Sequence, residues 1–110
     1  MHAFDVLGDP VRRRILEVLA EQEMRSSGEI VDIVGSEFGI TQSAVSQHLK
    51  IIRDSGFASV TTDGSRRLYN LETPQLQEVD DWLSGFRHFW APKLDALATE
   101  VARGKRRRSK

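Results

Sequence analysis

The segment from Thr41 to Leu71 constrains the fold more than any other part of the chain. Thr41 can cap a helix in which Val45, Leu49 and Ile52 recur at i, i+4 and i+7, and Gly56 can close it. One side of that helix must lie on a core, while its other side is wholly polar. Residues 57–62 and 67–71 follow as β-branched or aromatic runs flanking Asp63-Gly64-Ser65. Asp-Gly between such runs signals a hairpin, because glycine accepts the positive φ that a tight turn imposes.

The flanking sequence reads as helix. Residues 2–7 suit a short helix ended by Gly8. Asp9-Pro10 then supplies an N-cap and a proline at the first helical position, and Val11, Ile15, Val18 and Leu19 form a stripe running to about Gln22. Ser26 and Glu29 fit a capping box, with Ile30, Ile33, Val34 and Phe38 as the next stripe and Gly39 as its stop. Gly35 weakens that short helix, and an end there, leaving residues 36–39 as a turn, is the alternative to the stop at Gly39. Thr73-Pro74 repeats the cap-then-proline start. Leu76, Val79, Leu83, Phe86, Trp90, Leu94, Leu97 and Val101 follow at intervals of three and four along one long helix. Pro92 is expected to kink or divide it, with Gly85 as a second weak point.

In order, these elements make a mainly α chain with a small β-hairpin (α+β), the layout of a winged helix-turn-helix with a long C-terminal dimerisation helix. At 110 residues, one domain over 1–103 is expected, followed by a basic, disordered tail over 104–110. No apolar run approaches the roughly 18 residues of a membrane span, and residues 1–9 lack the order of an export signal. A soluble, cytoplasmic protein with no membrane partner is expected. The absence of cysteine removes disulfides, thiolate metal sites and cysteine nucleophiles. There is no glycine-rich phosphate loop and no Ser, His and Asp grouping, so neither an enzyme nor a cofactor is expected. His2, His48 and His88 form no i, i+4 pair, and no metal site is expected.

Charge narrows the remaining choices. The formal net charge of zero conceals a division: residues 1–40 and 71–102 carry −4 each, 41–70 carry +2, and 103–110 carry +6. Only the middle third and the tail can face a polyanion. On the polar helix, Thr41, Gln42, Ser43, Ser46, Gln47 and Lys50 lie opposite the apolar stripe, with no carboxylate before Asp54. Glutamine can pair bidentately with adenine, serine and threonine with base edges or phosphate, and lysine with phosphate or guanine. On an isolated helix such a face is ordinarily only solvated. Arg66 and Arg67, just past the hairpin turn, shift the balance by adding cations suited to phosphate or a narrow minor groove, although paired arginines also protect strand edges. These eight residues are the expected contacts to double-stranded DNA. His48 sits at the edge of the buried stripe, where a bond to a backbone carbonyl is favoured over a phosphate contact.

The C-terminal seam is too long for so small a domain to cover, since about 28 helical residues span roughly 40 Å. Phe4, Leu76, Val79, Leu83, Phe86, Trp90 and Leu94 are therefore expected at a homodimer interface, in which Trp82 and Phe89 add aromatic surface. A two-fold dimer sets its polar helices about 34–36 Å apart and calls for a pseudo-palindromic site. The rival expectation is a winged module for protein association, with the polar helix solvated and the aromatics docking a partner.

Gly8-Asp9-Pro10-Val11-Arg12-Arg13-Arg14-Ile15-Leu16, Gln42-Ser43-Ala44-Val45-Ser46-Gln47-His48-Leu49-Lys50 and Gly64-Ser65-Arg66-Arg67-Leu68-Tyr69 resemble the ArsR family of winged-helix repressors, over about residues 4–101. The resemblance implies a homodimeric bacterial DNA-binding repressor that usually controls its own operon and is released by a metal or another signal. Trp82-Leu83, residues 86–90 and Leu94-Asp95-Ala96-Leu97 resemble a branch not known for metal sensing. The family's metal sensors carry a Cys-x-Cys site on the short helix or Asp and His pairs on the last one. Here the short helix reads Ser27-Gly28-Glu29-Ile30-Val31-Asp32, and the last has His88 alone. Residues 34–39 are also longer than the family's usual tight turn.

Overall fold

Three helices begin where a capping side chain predicts. Asp9 Oδ1 accepts the N–H groups of Val11 at 2.8 Å and Arg12 at 3.2 Å, ahead of α2 (Pro10–Glu21), which follows the short α1 (Ala3–Leu7). Ser26 Oγ accepts the N–H of Glu29 at 3.2 Å, at the head of α3 (Ser27–Phe38). Thr41 Oγ1 accepts the N–H of Ala44 at 3.1 Å, at the head of α4 (Gln42–Asp54). Each side chain satisfies a donor that has no partner within its helix.

The computed structural model describes residues 2–108, with the side chains of all but 94, 95 and 102–108. It divides into two compact units, Met1–Val79 and Asp80–Lys110, where the sequence suggests one domain over 1–103. The first unit is mainly helical with a small antiparallel sheet, a winged helix-turn-helix. Its core joins Val6 of α1, Ile15, Val18 and Leu19 of α2, Ile30 and Val34 of α3, and Val45, Leu49 and Ile52 of α4, closed by fully buried Phe57.

The sheet holds more than the expected hairpin. β2 (Ala58–Asp63) and β3 (Arg66–Leu71) pair around Gly64, whose φ of 64° meets the demand of the turn. A two-residue strand, β1 (Arg25–Ser26), adds to the other edge of β3, pairing Arg25 with Tyr69 and Ser26 with Leu68. Met24, at φ 58°, turns the chain out of α2 toward that edge. Two residues are too few to show a period, so β1 has no signature in the sequence.

α3 ends at the expected Gly39 stop and not at the alternative, Gly35. α3 runs on to Phe38, and Gly39, at φ 63°, caps it with its N–H and that of Ile40 donating to the Gly35 carbonyl. The connection to α4 is therefore tight. Gly35 lies inside α3 beside the start of α4, where a Cβ would make ordinary contacts with the Ile40 oxygen at 3.4 Å and Val45 Cγ2 at 3.9 Å. Arg14 of α2 reinforces the α3 end, donating to both Glu37 oxygens at 2.7 and 3.0 Å. That bonding holds the Glu37 carboxyl below its ordinary value.

The long C-terminal helix also departs from expectation. α5 (Pro74–Ser84) stops at Gly85, and α6 (Arg87–Arg108) contains Pro92 without dividing there. Pro92 is the sixth residue of α6, past its first turn, so the helix runs through it with the His88 carbonyl lacking its i+4 backbone donor. Gly85 has the larger entropy cost in a helix, and the chain gives way there. Its N–H and that of Phe86 donate to the carbonyls of Trp82 and Leu83. α6 continues to Arg108 where disorder was expected from 104, and residues 109–110 lie outside the described residues.

The Asp9 cap yields a pH-dependent expectation. Partial burial acts to raise its pKa, but the N–H groups of Arg12 and Val11, with the charges of His48 and Arg12, outweigh this and hold it below 3.8. A depressed folded pKa adds stability above the ordinary value, and that stability is lost as pH falls through the folded one. Asp9→Ala should cost about 1 kcal/mol at neutral pH. In urea titrations the gap to the parent should close in strong acid; a constant gap would contradict this role.

Candidate nucleic-acid interface

α4 is divided sharply between its two sides. Val45, Leu49 and Ile52 are at most 2% exposed, whereas Thr41, Gln42, Ser43, Ser46, Gln47 and Lys50 are all exposed. The outward side carries hydroxyls, two amides and one ammonium, and no carboxylate precedes Asp54. Its amino-terminal end also presents free N–H groups and the positive end of the helix dipole. This surface can donate to and accept from base edges without repelling phosphates.

The two wing arginines do not act as a pair. Successive side chains on a strand point to opposite faces, so Arg66 and Arg67 diverge from β3. Arg66 Nη2 lies 3.6 Å from Glu29 Oε1 of α3. Arg67 instead lines a cleft against α4, together with Ser27, Ser46, Lys50 and Arg53. Among the described residues, no carboxylate pairs with Lys50 or Arg67 within 4.0 Å. Arg53 was missed in the sequence, although it follows Ser46 and Lys50 at helical intervals of four and three. It spends only Nε on Asp54, at 3.3 Å.

His48 does not meet the backbone carbonyl expected for it. Its Nδ1 lies 3.5 Å from Arg12 Nη1, and Arg12 donates to the Val6 and Asp5 carbonyls at 3.0 and 2.9 Å. Arg12 thus joins the end of α1 to the edge of α4. The acids of the first unit are drawn to other cations: Arg14 reaches Glu17, Glu21 and Glu37, and Arg25 lies between Glu21 and Glu29.

The residues expected at a second-copy interface fall into two groups. Leu76 and Val79 are half-buried against the core of their own unit. Phe4, Leu83, Phe86 and Trp90 remain 37–40% exposed, Trp82 and Phe89 more so, and Leu94 lies outside the residues whose side chains are described. The Trp82 and Phe86 rings sit 4.7 Å apart, and those of Phe86 and Phe89 6.5 Å apart. Among the described residues, no group of three or more His, Asp or Glu is placed to hold a metal, and no helix is long and apolar enough to cross a membrane.

The pattern of the family described as bacterial regulatory protein, arsR family, matches residues 9–60. An uncharacterized HTH-type transcriptional regulator of Mycobacterium tuberculosis is 36% identical over 69% of the chain, which spans 63% of that protein's length. The transcriptional repressor SdpR of Bacillus subtilis is 31% identical over 77% of the chain and 89% of its own length. In fold, the chain resembles the homodimeric winged helix-turn-helix DNA-binding domain of a possible ArsR-family regulator from Mycobacterium bovis. The TM-score is 0.59, at 19% identity over 78% of this chain and 77% of that one.

The Thr41 cap sets where α4 begins and so where its polar side starts. Thr41→Val keeps the shape but removes the acceptor, and should cost about 1 kcal/mol in urea unfolding, with Thr41→Ser close to the parent. Equal losses in the two variants would show that the hydroxyl is not what matters.

Proposed function

Because the chain belongs to the arsR family of bacterial regulatory proteins, we propose that it is a cytoplasmic, homodimeric repressor reading a pseudo-palindromic site on double-stranded DNA, its own promoter among its targets. The family is one of transcriptional regulators, not of enzymes. The observation that carries the reading is the exposed, acid-free side of α4, held outward by buried Val45, Leu49 and Ile52. The repressor name of the B. subtilis relative and the homodimeric M. bovis domain support it.

In this reading Gln42, Ser43, Ser46 and Gln47 meet base edges, while Thr41 and Lys50 at the two ends of the face meet the backbone. Arg66 and Arg67 bring the wing to the adjacent groove or phosphates. Phe4, Leu83, Phe86, Trp90 and Leu94 pack against a second copy, with Leu76 and Val79 bracing α5 from the core side. Two copies then present two α4 helices to successive major-groove faces.

Titration of a labelled duplex from upstream of the gene, at several salt concentrations, separates this from a protein-association module. A DNA reader loses affinity steeply as salt rises, whereas an aromatic docking surface hardly responds. Gln42→Ala with Ser46→Ala should reduce the preference for that duplex over a scrambled one by about 1–3 kcal/mol, with the thermal midpoint little changed. An undiminished preference would remove α4 from base reading.

The dimer has its own test. Trp90→Asp should shift the sedimentation mass from twice 12.5 kDa to a single 12.5 kDa chain at micromolar concentration. A parent protein that already sediments as one chain would overturn the homodimer.

A further inference from the structure

The cleft between α4 and β3 brings together three cations from separate parts of the chain. Lys50 and Arg53 come from the last two turns of α4 and Arg67 from the strand leaving the hairpin, over a floor of buried Leu49 and Tyr69. The hydroxyl side chains Ser27 and Ser46 complete the rim. Among the described residues, Asp54 is the one carboxylate paired here, and it occupies only Nε of Arg53. Glu29, the other acid nearby, faces Arg66 and Arg25. Three like charges converging beside hydroxyls, with little carboxylate to neutralise them, repel one another unless an anion enters.

We propose that this cleft is a subsite for one phosphate diester of the nucleic-acid backbone, held by Lys50, Arg53 and Arg67. The inference rests on the reading of the chain as a DNA binder and assigns one phosphate to one place. Guanidinium groups match phosphate oxygens in planar, two-point fashion, and lysine adds a compact charge. Ser46 and Ser27 supply hydroxyl donors. The subsite fixes the distance between α4 and the wing across a single backbone linkage, and it positions α4 without reading sequence. Arg66, held toward Glu29, lies outside it.

The test uses the full chain and a mixed-sequence duplex at several salt concentrations. Arg53→Gln and Arg67→Gln together should lower the steepness of log affinity against log salt by up to about 0.9, the amount expected for one phosphate contact, and either alone by part of that. Each should weaken operator and scrambled duplexes alike, by roughly 5- to 10-fold at 0.1 M salt. Circular dichroism melting of both variants should match the parent. Duplexes carrying a single neutral methylphosphonate then locate the linkage: one position should weaken the parent strongly, each single variant less, and the Arg53→Gln, Arg67→Gln double variant least. An unchanged salt slope in the folded double variant overturns the subsite, as does a change in the operator-to-scrambled ratio of Arg53→Gln, which would make Arg53 a base reader. If the parent binds no duplex at any salt, the DNA reading falls, and the subsite with it.

Discussion

Three side chains, Val45, Leu49 and Ile52, determine what α4 shows to the outside. Each is buried to 2% exposure or less, and full burial of such residues contributes about 1.5–3 kcal/mol apiece. Their spacing leaves α4 no freedom to roll. Turning the helix by one residue, 100°, would exchange Val45 for Ala44 or Ser46 in the core, losing apolar contact in the first case and burying an unpaired hydroxyl in the second. The connection from α3 is short, closed by the Gly39 and Ile40 N–H groups donating to the Gly35 carbonyl. Orientation of the polar side is thus a by-product of core packing, and the residues on that side are free to be chosen for what they touch.

Charge is sorted around this frame. Glu17, Glu21 and Glu37 surround Arg14, and Glu21 and Glu29 surround Arg25. Such exposed pairs contribute little to stability, because solvent screens them and long side chains lose freedom in forming them. Their larger effect is on the potential outside the molecule. Acids engaged with their own cations on α2 and α3 leave the α4 side with Lys50 and Arg67 unopposed by any carboxylate among the described residues. The same sorting separates the two wing arginines, since Glu29 claims the one that strand alternation turns toward α3.

What could be read from the sequence was what local chemistry decides. Helix starts at Asp9, Ser26 and Thr41 follow from caps that bond within three residues, and the hairpin follows from Asp-Gly between β-branched runs. The exposed side of α4 was legible because a helix that must bury residues 45, 49 and 52 has only one side left. The features missed depend on distant partners or on lengths too short to carry a pattern. β1 is two residues long and exists because β3 offers it an edge. α3 outlasts Gly35 and is closed by Gly39, whose N–H donates to the Gly35 carbonyl. His48 meets Arg12, 36 residues away. Arg53 was visible on the flank of Ser46 and Lys50, but its neighbour Asp54 made the end of the helix look neutral. The chain breaks at Gly85, while α6 carries Pro92 in its second turn without dividing.

The second unit is where the chain by itself is least complete. Trp82, Leu83, Phe86, Phe89, Trp90, Leu97 and Val101 all remain exposed, with adjoining aromatic rings among them. Soluble monomers seldom leave a contiguous apolar surface of this kind in water. A second copy would bury it, and the same act would solve a problem posed by α4. One helix face meets few bases and few phosphates, too few for tight and selective binding at physiological salt. Joining two copies makes the second contact intramolecular once the first has formed, so affinity rises without any new residue on the DNA side. In the proposed dimer, the aromatic residues of α5 and α6 and the polar residues of α4 are therefore coupled thermodynamically. In that dimer, whatever weakens self-association would also lower DNA occupancy.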